Sequence, residues 1–461
     1  MRTLTFTLGA ILTVYCSAGA LSERLWPNNE AVNRVLCQFL LCNNTALIRL
    51  ARDQFTAGKE KQIQQDLTIF RMVLQQDPQD PYRWADLGDG FLQAGQEEDA
   101  RYCFGQVLVL APHSANFLLQ VADFYFQIGE NQEALPITAR ILALIPDYDS
   151  IIFSEYIRSV DRAEDVLRLG LPAGRRAAKS WLQFLIQAGR LDEAQRTWDW
   201  IVAHGYADNA LAGEYVEFLI RQGHPDSAAS AWAQHMGALA DDYDKSTYLF
   251  NGDFESDPAQ SPFDWNVART EGVEVTRDCT TPGSGKCSLR ISFAGTQNLG
   301  VVAASQLAFV RPGTYRFHAL IRTEALTTDQ GIRFRISDAE LPARLDVIFG
   351  QFTGTAPWSP VEQDLAVPPQ TKLLHVQVIR QPSMKFDNKV RGTAWIDALR
   401  LEPISHPSSP AAHLGYRLSL SQAPRPAPVN RDIGRLPLSR LRLPPDTSRH
   451  ISTRYARSAH G

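Results

Sequence analysis

Two tryptophans and a set of planar polar side chains in the second half of the chain have the chemistry that sugar recognition requires. A pyranose ring needs a flat aromatic face for its apolar side and hydrogen-bonding groups for its hydroxyls, because both must be satisfied when water is displaced. Trp265 and Trp358 lie in segments rich in Pro and polar residues, where we expect exposure to solvent. The alternative is that each tryptophan closes the rim of a hydrophobic core. The hydrogen bonds could come from Arg333, Arg335, Gln377 and Gln297.

Segments that resemble catalytic motifs lack residues that those motifs require. Residues 283–286 read Gly-Ser-Gly-Lys, but a phosphate-binding loop needs an earlier glycine and a Ser or Thr where Cys287 stands. The acidic run at 241–244 has the composition of a solvated linker. We find no Ser-His-Asp constellation and no nucleophile elbow in the sequence. The chain is therefore expected to bind rather than to catalyse, with no required cofactor.

The six cysteines differ in what their spacing allows. Cys279 and Cys287 flank a turn rich in Thr, Pro and Gly, and we expect a disulfide that closes this loop. Cys37 and Cys42 lie five residues apart, so on a continuous helix their Cα atoms would be too distant for a bridge. Cys103 is expected to be a small core residue. No cysteine or histidine spacing indicates a zinc site.

A 34-residue pattern organises the first half of the chain. Between 81 and 114 the residues follow the spacing W-x2-L-G-x2-Y, then A-x3-F, then P. The pattern resembles the tetratricopeptide repeat, which is a pair of packed helices. The residues that carry the resemblance are Trp84, Leu87, Gly88, Phe91, Gly95, Ala100, Phe104, Val107 and Pro112.

Copies of this pattern recur through the segment 47–240. A second repeat spans about 115 to 148, two more contain Trp181 and Tyr215, and a degenerate copy precedes the first. About three such units are needed for an independent core, and this chain exceeds that number. The resemblance implies an all-α solenoid whose concave groove holds a protein partner. Residues 149–174 depart from the pattern, and a diverged repeat, a bend and a binding loop all remain open.

The periodicity changes from helical to alternating after a linker at 241–248. Apolar and polar residues alternate in several short segments that are separated by Pro and Gly. Such a series of short strands predicts a β-sandwich. The expected strands include 289–293, 315–321, 332–336, 345–349, 373–379 and 395–401.

Two motifs open and close this β half. The sequence Phe-Asn-Gly-Asp-Phe-Glu stands at 250–255, and Trp-Ile-Asp-Ala-Leu-Arg-Leu stands at 395–401. With Trp265 they resemble the carbohydrate-binding modules of the galactose-binding-like class, over about 249–403. The resemblance implies a jelly roll that binds polysaccharide and whose first and last strands lie together. It also implies a structural calcium, for which the matching side chains are Asp253, Glu255 and Asp397.

Three side chains do not complete a calcium shell, so backbone carbonyls or water would have to supply the remaining ligands. The alternative is that Asp253 belongs to a turn and Asp397 to a strand edge.

The two ends of the chain have their own compositions. Arg2, an apolar run at 4–14 and the small residues at 18–20 are typical of a secretory signal cleaved after Ala20, with an uncleaved membrane anchor as the alternative. A helical segment is expected at 21–46. The end of the chain, 404–461, is rich in Pro, Ser and Arg, which favours disorder. It carries nine arginines and two aspartates, but export argues against nucleic acid as its partner.

These features together predict a multidomain, exported protein, either periplasmic or secreted, with no transmembrane span in the mature chain. An all-α tetratricopeptide solenoid would bind a protein partner, and an all-β jelly-roll sandwich would bind a glycan. Such a combination resembles scaffolds that accompany envelope or exopolysaccharide assembly. One alternative is an adaptor that binds only proteins and whose sandwich is structural. The other is a glycan hydrolase, which would need paired acids in a cleft.

Overall fold

The computed structural model describes residues 60–240, 243 and 247–404, with side chains from Leu67 onward. Within these residues, the first half consists of eleven α-helices and the second half of two antiparallel sheets. The prediction of a helical solenoid followed by a β-sandwich is confirmed. The expected signal, the segment at 21–46, Cys37, Cys42 and the tail after 404 lie outside the described residues.

The helices pack in consecutive pairs joined by short turns. In chain order they are α1 (Glu60–Gln76), α2 (Pro81–Gln93), α3 (Glu97–Leu110), α4 (Ala115–Gln127), α5 (Asn131–Leu144), α6 (Asp149–Ser159), α7 (Ala163–Asp165), α8 (Arg175–Gln187), α9 (Leu191–Ala203), α10 (Asn209–Arg221) and α11 (Pro225–Met236).

The predicted period appears directly in where these helices begin. Helix α4 starts 34 residues after α2, at Ala115 against Pro81, and α6 starts 34 residues later at Asp149. Helix α8 follows after only 26 residues, at Arg175. In this shorter unit the second helix is reduced to α7 and a π-helix, Val166–Gly170. Residues 149–174 therefore form a shortened repeat.

Each full repeat turns at a glycine in the left-handed region, where a side chain would be strained. The φ angles are +70° at Gly95, +79° at Gly129, +69° at Gly189 and +82° at Gly223. The next residue donates its backbone N–H to the carbonyl five positions earlier, as Gln96 does to Phe91 at 2.9 Å. This bond satisfies a carbonyl left free at the helix end. The four glycines are therefore required by the geometry of the turn.

Packing within the best repeat depends on close contact between its two helices. The side chain of Phe104 is fully buried, and its ring stacks on Phe124 with 4.6 Å between centroids. A Cβ added at Gly88 would lie 3.0 Å from the Phe104 ring, so glycine makes room for it. Trp84 is half-buried, and its indole Nε1 donates to the Pro78 carbonyl at 2.9 Å.

Within the described residues, ten strands form the sandwich. They are β1 (Asn266–Val267), β2 (Val273–Asp278), β3 (Ser288–Ala294), β4 (Val301–Phe309), β5 (Gly313–Leu326), β6 (Ile332–Asp338), β7 (Asp346–Phe352), β8 (Gly354–Val367), β9 (Leu373–Arg380) and β10 (Arg391–Pro403). We call the sheet with strand order β1-β4-β9-β6-β7 the first sheet, and the sheet with order β2-β3-β10-β5-β8 the second sheet.

All six segments predicted as strands coincide with strands, although 345–349 begins one residue before β7. Strands β1, β2, β4 and β8 were not predicted. Strand β8 contains Pro357 and Pro360, which are unusual inside a sheet. It lies at the edge of the second sheet, where a missing N–H donor is tolerated. Strand β4 contains the small residues Ala303, Ala304 and Ser305, whose pattern of alternation is weak.

The sandwich packs directly on the end of the solenoid. Trp232 of α11 is fully buried and meets the ring of Phe250 edge-on, with 5.8 Å between centroids. Phe250, Phe263 and Leu373 belong to the same buried apolar cluster as the solenoid core. The side chain of Gln306 on β4 accepts the Phe250 N–H and donates to the Phe250 carbonyl, both at 2.9 Å. The sandwich therefore covers the last repeat, which a solenoid end requires.

A buried carboxyl lies in the segment that leads into β1. The side chain of Asp264 is 1% exposed and accepts the backbone N–H groups of Ala259 and Trp265, both at 2.7 Å. Burial raises the pKa of Asp264 to about 6 from 3.8, although these donors favour the ionised form. Ionisation of this group therefore costs free energy in the folded state.

We expect Phe104→Ala to lower the free energy of unfolding by about 3–5 kcal/mol, because it leaves a cavity between the helices of the best repeat. Thermal or denaturant unfolding measures this loss. Val109→Ala is the matched control, since Val109 lies on the same helix and is 71% exposed. A Phe104 variant that melts with the parent would show that the repeat packs differently.

We expect Asp264 to reduce stability as pH rises. Between about pH 4 and 6 the folded state binds the Asp264 proton more tightly than the unfolded state, so the free energy of unfolding falls through this window. The full effect is about 3 kcal/mol. Urea unfolding of the parent and of Asp264→Asn from pH 4 to 7 tests this. The two proteins should differ in slope within the window, and parallel pH profiles would contradict the prediction.

Candidate functional site

The opening segment of the sandwich lies beside its last strand, as the resemblance implies. The Leu399 N–H of β10 donates to the Gly252 carbonyl at 2.9 Å. A Cβ on Gly252 would lie 2.0 Å from the Leu399 carbonyl oxygen, so only glycine permits this approach. The contact brings Asp253 and Glu255 to the strand that carries Asp397.

A disulfide joins Cys279 to Cys287, with 4.0 Å between their Cα atoms. We call residues 279–287 the disulfide loop. It connects β2 to β3.

Two of the predicted calcium ligands bind the disulfide loop instead. The Asp397 carboxylate accepts the backbone N–H groups of Gly283 at 2.8 Å and Ser284 at 2.7 Å. The Glu255 carboxylate accepts the N–H groups of Lys286 at 2.5 Å and Cys287 at 3.2 Å. Burial raises the pKa of Asp397, and the amide donors partly oppose that shift. The two carboxylates therefore attach the loop to the sandwich.

This arrangement does not fit a calcium site built from the three predicted side chains. Asp397 Oδ2 and Glu255 Oε1 accept amide hydrogens of the disulfide loop, and Asp253 accepts the Glu255 N–H within a turn, at 3.5 Å. Among the residues that the structure describes, no group of three or more His, Cys, Asp or Glu side chains could hold a metal ion. Calcium stays a prediction, and an unchanged melting midpoint after chelation would exclude a stabilising ion.

Trp358 supports the disulfide loop. A Cβ added at Gly283 would lie 3.0 Å from the Trp358 ring, so the glycine backbone packs against it and the ring is half-buried. Nearby on the same outer face, Trp395 Nε1 donates to the Asp278 carboxylate at 2.8 Å, and the Arg322 guanidinium lies 5.1 Å from the Trp395 ring centre. Part of the Trp358 surface remains available to a ligand.

The expectation that Trp265 is exposed is wrong. Its side chain is fully buried, packs against Phe254 with 5.5 Å between ring centroids, and donates from Nε1 to the Asn251 carbonyl at 3.0 Å. The opening segment folds across the core and covers this ring. Trp265 therefore has no free face for a sugar, and the alternative of a core residue describes it.

The predicted hydrogen-bonding residues lie mostly on the outer face of the first sheet. Arg335 of β6 and Gln377 of β9 are direct partners in register, and Ser305 of β4 continues the same row. Arg335 also binds Asp346 through two bonds of 2.8 and 2.9 Å, and this pairing lowers the pKa of the Asp346 carboxyl. Burial and the charge of Arg335 lower the pKa of His375 on the same face. We call this set the polar row.

The other candidates do not belong to the polar row itself. Arg333 lies on the same face as the polar row and binds Gln330 and Gln351. Gln297 is exposed in the loop between β3 and β4, where its carbonyl accepts the Val390 N–H at 3.2 Å. Trp358 belongs to the second sheet, so the structure does not bring it together with the polar row. The single site that the sequence predicted is divided between two sheets.

The solenoid contains a groove whose lining was not predicted residue by residue. A cavity of about 320 Å³ lies between α4 and α6, the first helices of adjacent repeats. Leu119, Phe126 and Ile151 supply its apolar surface, while Asp123 and Glu155 add carboxylates. We call it the α4–α6 groove. The sequence signal was the helical spacing of Leu119, Asp123 and Phe126, of which Phe126 also belongs to the buried core.

No helix in the described part of the chain is long and apolar enough to cross a membrane.

Comparison with known proteins gives similarity in fold for each half. No family model and no curated protein matches the chain. The β part is similar to TmCBM61 in complex with beta-1,4-galactotriose, at 16% identity over 34% of this chain and 99% of that chain, with a TM-score of 0.25. It is also similar to the CBM22-1 xylan-binding domain from Paenibacillus barcinonensis Xyn10C, at 10% identity over 31% and 86%, with a TM-score of 0.22. The helical part is similar to MamA, at 16% identity over 44% and 95%, with a TM-score of 0.22.

We expect Asp397→Ala to release the disulfide loop, because the Gly283 and Ser284 amides lose their acceptor. Hydrogen bonds to charged groups contribute about 1.5–3 kcal/mol each, so amide exchange at these two positions should become at least about tenfold faster. Asp253→Ala is the matched control, since that carboxylate makes no described bond to the loop. Equal exchange in both variants would rule out this role of Asp397.

Proposed function

We propose that this protein is an exported, non-catalytic scaffold that holds a protein partner in its solenoid and a glycan on its sandwich. The α4–α6 groove is the observation that carries the proposal. A setting in envelope or exopolysaccharide assembly agrees with this combination of binding surfaces. The Cys279–Cys287 disulfide supports export, because disulfides persist mainly in oxidising compartments.

The lining of the α4–α6 groove indicates what kind of protein segment it would take. Its apolar floor suits one or two buried aliphatic or aromatic side chains, and its volume of about 320 Å³ is in the range of ligand pockets. Ile151 is 55% exposed, so burying it against a partner removes apolar surface from water. Asp123 and Glu155 favour a basic residue next to that anchor. The partner would therefore present a segment with adjacent apolar and basic side chains.

The polar row is the sandwich surface best suited to a glycan. Arg335 and Asp346 present planar donors and acceptors side by side on this face, as hydroxyl groups require, whereas the neighbouring Gln377 is only 7% exposed. The lowered pKa of His375 favours its neutral form, which offers one donor and one acceptor. Ile348, which is 41% exposed, pairs with Arg335 and adds an apolar contact.

A protein-binding adaptor with a structural sandwich is the second candidate, and a specific observation favours it. The solenoid occupies part of the outer face of the first sheet, where Leu307 and Phe309 of β4 pack against the solenoid core. Trp265 is also a core residue rather than a binding platform. Capping the solenoid could thus be the whole role of the sandwich. The hydrolase alternative is tested separately, by assaying the purified protein for turnover of activated glycosides. Turnover by the purified protein would support that alternative.

We expect Ile151→Glu to weaken partner binding by about tenfold or more, because it places a charge in the apolar floor of the groove. The full chain serves as bait in an envelope extract, followed by an affinity measurement with the partner it captures. Val109→Glu is the control, since Val109 is exposed on α3 and does not line the groove. Equal affinity of both variants for the partner would remove the groove from the proposal.

We expect Arg335→Ala to reduce retention on envelope polysaccharide several-fold without changing the melting temperature, because Arg335 is partly exposed. Arg316→Ala is the matched control. Arg316 makes an equivalent two-bond pair with Asp364, at 2.7 and 3.0 Å, but on the second sheet. Trp358→Ala, measured in parallel, reports whether the second sheet contributes.

Trp265→Ala should instead destabilise the sandwich by about 3–5 kcal/mol, as expected for a large core residue. If the parent protein is not retained on any envelope polymer, the glycan half of the proposal fails and the adaptor stands.

A further inference from the structure

The loop between β9 and β10 exposes two large apolar side chains to solvent. Met384 is 95% exposed and Phe386 is 104% exposed, which means that the surrounding protein covers almost none of either side chain. The other large apolar residues exposed on the described sandwich are only about half as accessible, such as Leu341 at 52%. We call residues 381–390 the apical loop. Single exposed apolar residues are common, but two complete side chains at one tip are a sign of an interaction site.

The base of the apical loop is firmly attached. Ser383 is 2% exposed, its N–H donates to the Asn298 side chain at 2.8 Å, and its hydroxyl donates to the Asp329 carboxylate. The Asn298 side chain also donates back to the Ser383 carbonyl at 2.8 Å. These bonds hold the position immediately before Met384. The exposed tip is thus presented by a rigid base rather than by a loop that could fold back over its own apolar groups.

A buried arginine connects the loops around this base. Arg380, at the end of β9, is 2% exposed and donates to the carbonyls of Gln330 and Leu299. Leu299 lies in the loop before β4 and Gln330 in the loop before β6, so one guanidinium joins these two loops to the end of β9. Buried charges are expensive and are retained where they order their surroundings. Arg380 therefore stabilises the platform from which Met384 and Phe386 project.

The charge around the tip is positive. The segment 381–391 contains Lys385, Lys389 and Arg391, and its single acidic residue is Asp387. The net charge of this segment is therefore +2. Lys385 lies between the two exposed apolar residues, and its ammonium lies 3.7 Å from the Asp329 carboxylate while its side chain stays 72% exposed. Projecting apolar side chains flanked by cations match the boundary between acyl chains and anionic headgroups, where the apolar groups leave water and the cations meet phosphate.

We propose that the apical loop docks on the surface of an anionic bilayer by inserting Met384 and Phe386 among the lipids. Insertion into lipid needs no shaped complementary surface, which suits two side chains that project without neighbours. The cations orient the tip toward the headgroups and raise the local affinity. This contact attaches the scaffold to a membrane without a spanning helix. It would be independent of the groove and of the polar row.

The test uses the full chain in sedimentation with vesicles rich in phosphatidylglycerol, compared with vesicles of phosphatidylcholine alone. The measured variant carries Met384→Ser and Phe386→Ser together, and Leu341→Ser is the control, as an exposed apolar residue in another loop. The basic tail could also bind anionic vesicles. Binding is therefore repeated at about 0.5 M salt, where screening shortens electrostatic range to a few ångströms while insertion persists.

We expect the affinity of the double variant for anionic vesicles to fall by about tenfold or more, because it loses the apolar surface of two side chains. Its melting temperature should equal that of the parent, since neither side chain packs against the fold. The proposal is overturned if the double variant binds like the parent, if Leu341→Ser has the same effect, or if the parent does not bind vesicles at either salt concentration. Loss of polysaccharide retention with vesicle binding unchanged would also overturn it and would assign the tip to a glycan.

Discussion

The contact between Trp232 and Phe250 joins the two halves of the described chain, and the remaining surfaces depend on it. A stack of helical repeats ends in an apolar face that must be covered. Phe250, Phe263 and Leu373 cover that face, and Gln306 holds the Phe250 backbone through two hydrogen bonds. Because the cover comes from the sandwich, the two halves share one buried cluster. The relation between the solenoid and the surfaces of the sandwich is then set by packing and not by a free linker.

The same contact restricts what the sandwich can bind. One end of the outer face of the first sheet packs on the solenoid, and Gln377 is only 7% exposed, so Arg335 and Asp346 are what the polar row still offers. The outer face of the second sheet carries the disulfide loop, attached by Asp397 and Glu255. Part of the outer face of each sheet is thus covered, by the solenoid on the first sheet and by the disulfide loop on the second. The described surfaces that remain include the polar row, the margin of Trp358 and the loops at the apical end.

The features that the sequence predicted well are local. The 34-residue period places Pro81, Ala115 and Asp149 at helix starts, because the repeat consensus and the helical pitch act over a few turns. The left-handed turns at Gly95 and Gly129 follow from residue type alone. Most strand segments followed from alternation. Strands β4 and β8 did not, because small residues and prolines weakened the pattern, and β2 was also not predicted. The site was predicted less well, because the sequence gives the types of the side chains but not their burial or their positions relative to one another.

The sequence by itself determined the helical repeats, the sandwich and the pairing of Cys279 with Cys287, which lie eight residues apart. Tertiary structure alone decided that Trp265 is in the core and that Trp358 and Arg335 belong to different sheets. It also decided that Asp397 binds amides 113 and 114 residues earlier in the chain. Periodicity and spacing report the conformation of neighbouring residues. Burial and hydrogen-bond partners instead depend on which distant segments cover a side chain, and that is settled only when the layers pack.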